Sequence, residues 1–116
     1  MKNPISYFLA LATIMLCSSA TPNIAPVIDY CRVYGVIYIE KERAFADAHV
    51  YVEENEGLAR MQVFREDNAL YADRPGVWYI TDDRNAADYR VYIEKNRSFA
   101  QFSIFYIDNP SFAGCR

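Results

Sequence analysis

The chain repeats itself with a short period, and that feature restricts its fold more than any other. "YIEKERAFAD" at Tyr38–Asp47 returns as "YIEKNRSFAQ" at Tyr92–Gln101, with seven of ten positions identical, 54 residues further on. Counting each unit from the residue before a Tyr or Phe gives six starts: Ile37, Val50, Val63, Trp78, Val91 and Ile104. The steps between them are 13, 13, 15, 13 and 13 residues. Nine residues after each start lies an Ala: Ala46, Ala59, Ala72, Ala87, Ala100 and Ala113. A fixed period of this kind means that one small structural unit is built over and over, each copy burying its apolar face against the others.

Each unit has two parts. The first, such as Val50-Tyr51-Val52 or Val91-Tyr92-Ile93, is β-branched and aromatic, the composition of a strand. Three apolar residues in a row predict apolar neighbours on both faces. The second part is a turn. Five residues after each start come Glu42, Asn55, Asn68, Asp83, Asn96 and Asn109. Asn and Asp favour the N-cap because the side-chain oxygen accepts a free backbone N–H. Pro110 follows Asn109, where Pro suits the first helical position. The spacing predicts one helical turn from the cap to the Ala, with the Ala as a packing constraint. Phe45 and Phe99 are expected to pack inward beside it. Arg43 with Asp47, Arg84 with Asp88, and Glu56 with Arg60 stand four apart and are expected to pair across the turn.

About eight residues separate consecutive strands, fewer than a parallel crossover usually takes. Successive strands are therefore expected either to pair antiparallel or to lie apart. The two-residue excess falls at Asp73-Arg74-Pro75-Gly76, a turn signal that divides the chain into halves of three units. The expected class is mostly β with short helical turns (β-rich α+β): six strand-turn repeats of about 13 residues in one compact domain.

The repeats "VYIEKNRSFA" and "WYITDDRNAAD" resemble those of the Septknot family of small bacterial domains of unknown function. The resemblance covers about Val33–Arg116. It implies a β-rich fold whose backbone is a torus knot with seven crossings, a topology that periodicity alone does not reveal and that is very rare. It implies no reaction and no catalytic residues. The chain departs from the family pattern in its leader, in its Cys pair, and at Glu56, Ala69 and Pro110, where Arg is common.

The leader is Met1–Ala20. One Lys precedes an uncharged, mostly apolar run, and Ser18-Ser19-Ala20 supplies small residues before a cut near Ala20. This is the pattern of a secretory signal peptide, so the protein is expected to be exported to the periplasm, cell envelope or medium. A transmembrane anchor is one alternative, although the apolar run is shorter than the roughly 20 residues a spanning helix needs. A lipid anchor on Cys17 is another, although Leu16 is bulkier than the residue that usually precedes a lipidated Cys. Contact with the membrane is expected only through that leader or anchor. Residues 21–32 form an N-terminal extension, and 33–116 form the repeat domain. Removing Lys2 leaves 11 basic against 15 acidic residues, a net charge of −4. That balance argues against a nucleic-acid partner. Cys31 and Cys115, one near each end of the repeats, are expected to form a disulfide in an oxidising compartment.

Little in the sequence points to catalysis. His49 is the only histidine, and no second His or Cys stands near it. Asp82-Asp83 and Glu66-Asp67 lie at the cap end of turns, without calcium-loop spacing. No phosphate loop, nucleophile elbow or zinc spacing is present, and no cofactor is expected. The aromatics are the remaining feature: ten Tyr, seven Phe and Trp78. Exposed rings bind sugars, peptides or a second copy of the chain, and Trp78 is the ring singled out as ligand-facing. Two functions follow. One is a structural or interaction domain, non-enzymatic, able to form a homodimer. The other is a small carbohydrate- or cell-wall-binding protein or hydrolase, which needs His49 close to a carboxylate such as Asp82 or Asp83.

Overall fold

The computed structural model describes residues 28–116, so the leader, the cut at Ala20 and the anchor at Cys17 lie outside the described residues. Seven strands follow one another: β1 (Gly35–Ile39), β2 (Ala48–Val52), β3 (Met61–Arg65), β4 (Val77–Thr81), β5 (Tyr89–Ile93), β6 (Phe102–Ile107) and the two-residue β7 (Gly114–Cys115). The helical parts are all three-residue 3-10 turns, with no α-helix among the described residues. The β-rich class therefore holds, and the α component is replaced by single tight turns.

Six strands close a parallel barrel. Its ring order is β1-β5-β2-β6-β3-β4, with β4 returning to β1 and β7 antiparallel on β3. Successive strands thus lie apart, except β3 and β4, which pair in parallel against the expectation. The chain skips β5 between β1 and β2, and β6 between β2 and β3. It then skips β1 and β2 on the second pass. The halves on either side of Pro75-Gly76 are two windings around one ring, with the strands of the second threaded between those of the first. Only β3 to β4 is a step between neighbours, and the two extra residues sit there. At this junction Gly76 adopts φ 84°, and a Cβ on it would collide with the backbone nitrogen of Gly114.

Such short crossovers work because the strands are short. Five residues climb about 16 Å, and a return of eight residues, half extended and half a 3-10 turn, covers that distance. The caps are as the sequence predicts: Asn55, Asn68, Asp83, Asn96 and Asn109 each accept the N–H two residues on. Glu42 stands at the cap of the first turn without a side-chain bond. Each repeated Ala is the C-cap, its N–H donating to the carbonyl three residues back.

The core is one column of the repeat. Ile37, Val50, Val63, Trp78, Val91 and Ile104, the six unit starts, are all fully buried. Met61, Phe102, Ala48 and Val33 fill in around them. Trp78 is therefore not ligand-facing: it occupies the place of a core aliphatic, and its indole N–H donates to the Val33 carbonyl at 3.0 Å. The Tyr or Phe that follows each start is half-buried in all six units. Phe45 and Phe99 do not pack inward. They are 55% and 62% exposed, and the Arg84 and Arg43 guanidiniums, respectively, lie against their rings. Cys31 and Cys115 form the expected disulfide and join the two ends of the wound chain. Tyr30, next to Cys31, stacks on Phe102 with ring centroids 4.6 Å apart.

Candidate functional site

The charges of the repeat meet across the ring, not along a turn. Arg97 donates to Glu53 through two nitrogens, at 2.8 and 2.7 Å. Arg84 donates to Glu40 at 3.1 and 2.8 Å. Arg43 donates to Glu94 at 3.0 Å. The expected pairs four residues apart are corrected accordingly. Asp47 instead accepts the backbone N–H of Arg90, and Asp88 that of Val36. Glu56 accepts from the Gln62 amide, and Arg60 lies over the Tyr30 ring. The physical reason is the turn type. In a 3-10 turn residues three apart eclipse, and those four apart diverge.

The three acceptors are all four residues into their strands' apolar run, at the position after Tyr38-Ile39, Tyr51-Val52 and Tyr92-Ile93. Each carboxylate is nearly sealed from water, with side-chain exposures of 1–3%. Burial alone would push the Glu40 carboxyl up; the Arg84 hydrogen bond and the N–H groups of Glu42 and Lys41 outweigh it and leave it lowered. For Glu53 the Arg97 hydrogen bond dominates, against burial, and the carboxyl is likewise lowered. The same arginines lie on aromatic faces: Arg43 on Tyr92 and Phe99, Arg84 on Phe45, Arg97 on Tyr51. A clasp thus joins one unit to its ring neighbour, binding guanidinium to carboxylate and ring at once.

The clasp has six possible seams, and three are made. At the other three the arginine slot holds Glu56, Ala69 or Pro110. Facing them across the ring are Ile107, Thr81 and Glu66 in the carboxylate slot. In two of those three seams both partners are gone together.

One vacant seam opens into a groove of about 560 Å³, lined by Glu56, Arg65, Phe105, Tyr106, Ile107, Asp108, Asn109 and Phe112. Phe112 is 66% exposed. The Arg65 guanidinium lies 4.1 Å from the centre of the Tyr106 ring. Burial raises the Tyr106 hydroxyl's pKa, partly offset by the charge of Arg65. Glu56 presents a carboxylate where the other seams present a guanidinium.

His49 does meet a carboxylate, but not at Asp82 or Asp83. Its Nδ1 lies 2.8 Å from Glu94 Oε2, while Arg43 holds Oε1. Glu94 is one of the three clasp carboxylates, so the contact sits within the repeating frame. Asp82 and Asp83 are exposed, and Asp83 caps its turn. Among the described residues no group of three His, Cys, Asp or Glu is placed to hold a metal ion, and no helix is long and apolar enough to cross a membrane. The sequence carried the signal for the clasp: Glu40, Glu53, Glu66 and Glu94 occupy one column in four of the six units.

The model of the Septknot family, described as the 7(1) septoil knot domain, matches residues 30–116. No curated protein and no solved structure matches the chain.

Proposed function

Given that the chain belongs to the Septknot family, we propose that it is an exported structural or interaction domain that works by binding rather than by catalysis. The observation that carries this reading is the Cys31–Cys115 disulfide, which ties both ends of the barrel together and suits an oxidising compartment. The leader at Met1–Ala20 fits the same address. In this reading the backbone is the seven-crossing knot of its family. Support comes from the two interleaved windings, whose crossovers each pass one strand of the other winding and whose ends the disulfide closes. Cell fractionation with N-terminal sequencing tests the address. The expected result is a mature chain beginning at Thr21, outside the cytoplasm, with no free thiol at Cys31 or Cys115. An uncleaved cytoplasmic chain with both thiols reduced would contradict it.

A hydrolase remains the second reading, because His49 and Glu94 form a His–carboxylate pair with the imidazole partly open to solvent. In that case His49→Gln abolishes turnover of a cell-wall substrate while leaving the fold intact. Absence of any turnover by the wild type rules that reading out.

A further inference from the structure

We propose that the groove at Glu56 is a vacated arginine socket, and that it binds a guanidinium or alkylammonium side chain presented by another polypeptide. The argument comes from the molecule's own seams. In the seam where Arg43 reaches its ring neighbour, the guanidinium lies on Tyr92 and Phe99 and bonds Glu94. Those residues stand one, eight and three positions after their unit start. The matching positions in the last unit are Phe105, Phe112 and Ile107, and all three line the groove. The residue that should supply the guanidinium there is Glu56. The two rings therefore remain, the arginine that would cover them is absent, and its place at the groove wall carries the opposite charge.

Charge supports the same occupant. Among the described residues that line the groove, Glu56 and Asp108 stand against one cation, Arg65, which is already engaged on Tyr106. Two further cations lie nearby outside the lining, each held by a backbone carbonyl: Arg116 donates to that of Glu56 and Arg74 to that of Pro110. One Glu56 oxygen accepts from Gln62, leaving the second available. A cation between two aromatic faces with a carboxylate beside it gains both cation–π and ionic attraction. An anion would meet two carboxylates, and a neutral sugar would forgo the charge.

This inference deepens the reading of the chain as an interaction domain. It is tested by binding rather than by compartment, so either can fail alone. The probe is N-acetyl-arginine amide, titrated into the oxidised protein and followed by amide chemical shifts, with the uncharged N-acetyl-citrulline amide as control. Saturable shifts are expected at Phe105, Ile107, Asp108 and Phe112, with citrulline at least about tenfold weaker, as loss of a desolvated charge contact implies. Glu56→Arg fills the socket from within and should abolish the shifts. Glu56→Gln, which keeps the side chain's shape and the fold, should weaken binding several-fold. Equal binding of arginine and citrulline, or full binding by either variant, would overturn the proposal. So would the absence of shifts at the groove in the wild type.

Discussion

Arg97 and Glu53 stand 44 residues apart in the chain and meet through two hydrogen bonds, at 2.8 and 2.7 Å, across the seam between the two windings. The same contact recurs between Arg84 and Glu40, and with one hydrogen bond between Arg43 and Glu94. These clasps tie first-winding units to second-winding units. A surface ion pair adds little, but here one partner is buried and each guanidinium also covers an aromatic ring.

The clasps make stability sensitive to acid. Glu40 and Glu53 have folded-state pKa values lowered from the usual 4.5. A depressed carboxylate binds its proton more readily when unfolded, so its contribution is full above about 4.5 and is lost as pH falls through the folded value. Thermal midpoints are expected to hold steady from neutral pH down to about 5 and then to fall. Glu53→Gln should flatten that fall. An acid limb identical to that of the wild type would show that the Glu53 pair does not contribute to it.

Removing the disulfide should weaken the fold without changing it. The bridge spans 84 residues and restricts the unfolded chain, so Cys31→Ser with Cys115→Ser is expected to cost about 2–4 kcal/mol. Denaturant unfolding of the two forms measures this directly, and the native strand signature should persist.

Trp78 reports on the core. It is fully buried, so native fluorescence should be blue-shifted and poorly quenched by iodide. Trp78→Ala removes a large side chain from the column of unit starts and takes one of two donors from the Val33 carbonyl, leaving only the Gly76 N–H. A loss of about 3–5 kcal/mol is expected from comparable truncations. Strong iodide quenching of the native protein would place the ring at the surface.

Refolding should depend on the state of the disulfide. In the proposed knot, a chain denatured with Cys31–Cys115 intact keeps its windings, whereas a reduced chain can untie. The oxidised chain is therefore expected to refold faster. Equal rates, measured after full denaturation and in the same final buffer, would argue against trapped winding.

Much of this structure was legible in the repeat. The caps at Asn55, Asn68, Asp83, Asn96 and Asn109 follow from their spacing, as do the six strands. The burial of Trp78 is legible from its place in the same column as Ile37 and Val50, and its aromatic chemistry alone points the other way. The charge pairs were not legible because Arg43 and Asp47 fit α-helical spacing. The turn is only three residues long, and Ala46 at φ −82°, ψ 143° has already returned to extended backbone, so Asp47 lies beyond the turn. Ring order was not legible, because no local signal says which strand a crossover passes. The joint loss of Arg and Glu at Glu56 with Ile107, and at Ala69 with Thr81, records that order in retrospect.

A charge exchange across one seam tests the interleaved windings most directly. Arg97→Glu and Glu53→Arg are each expected to lower the thermal midpoint, because each places like charges across the seam. The double variant should recover much of that loss, while the same exchange between Arg84 and Asp88, four apart in sequence, should recover none. Loss in the double variant equal to the sum of the single losses, with recovery for the pair four apart in sequence, would contradict the account.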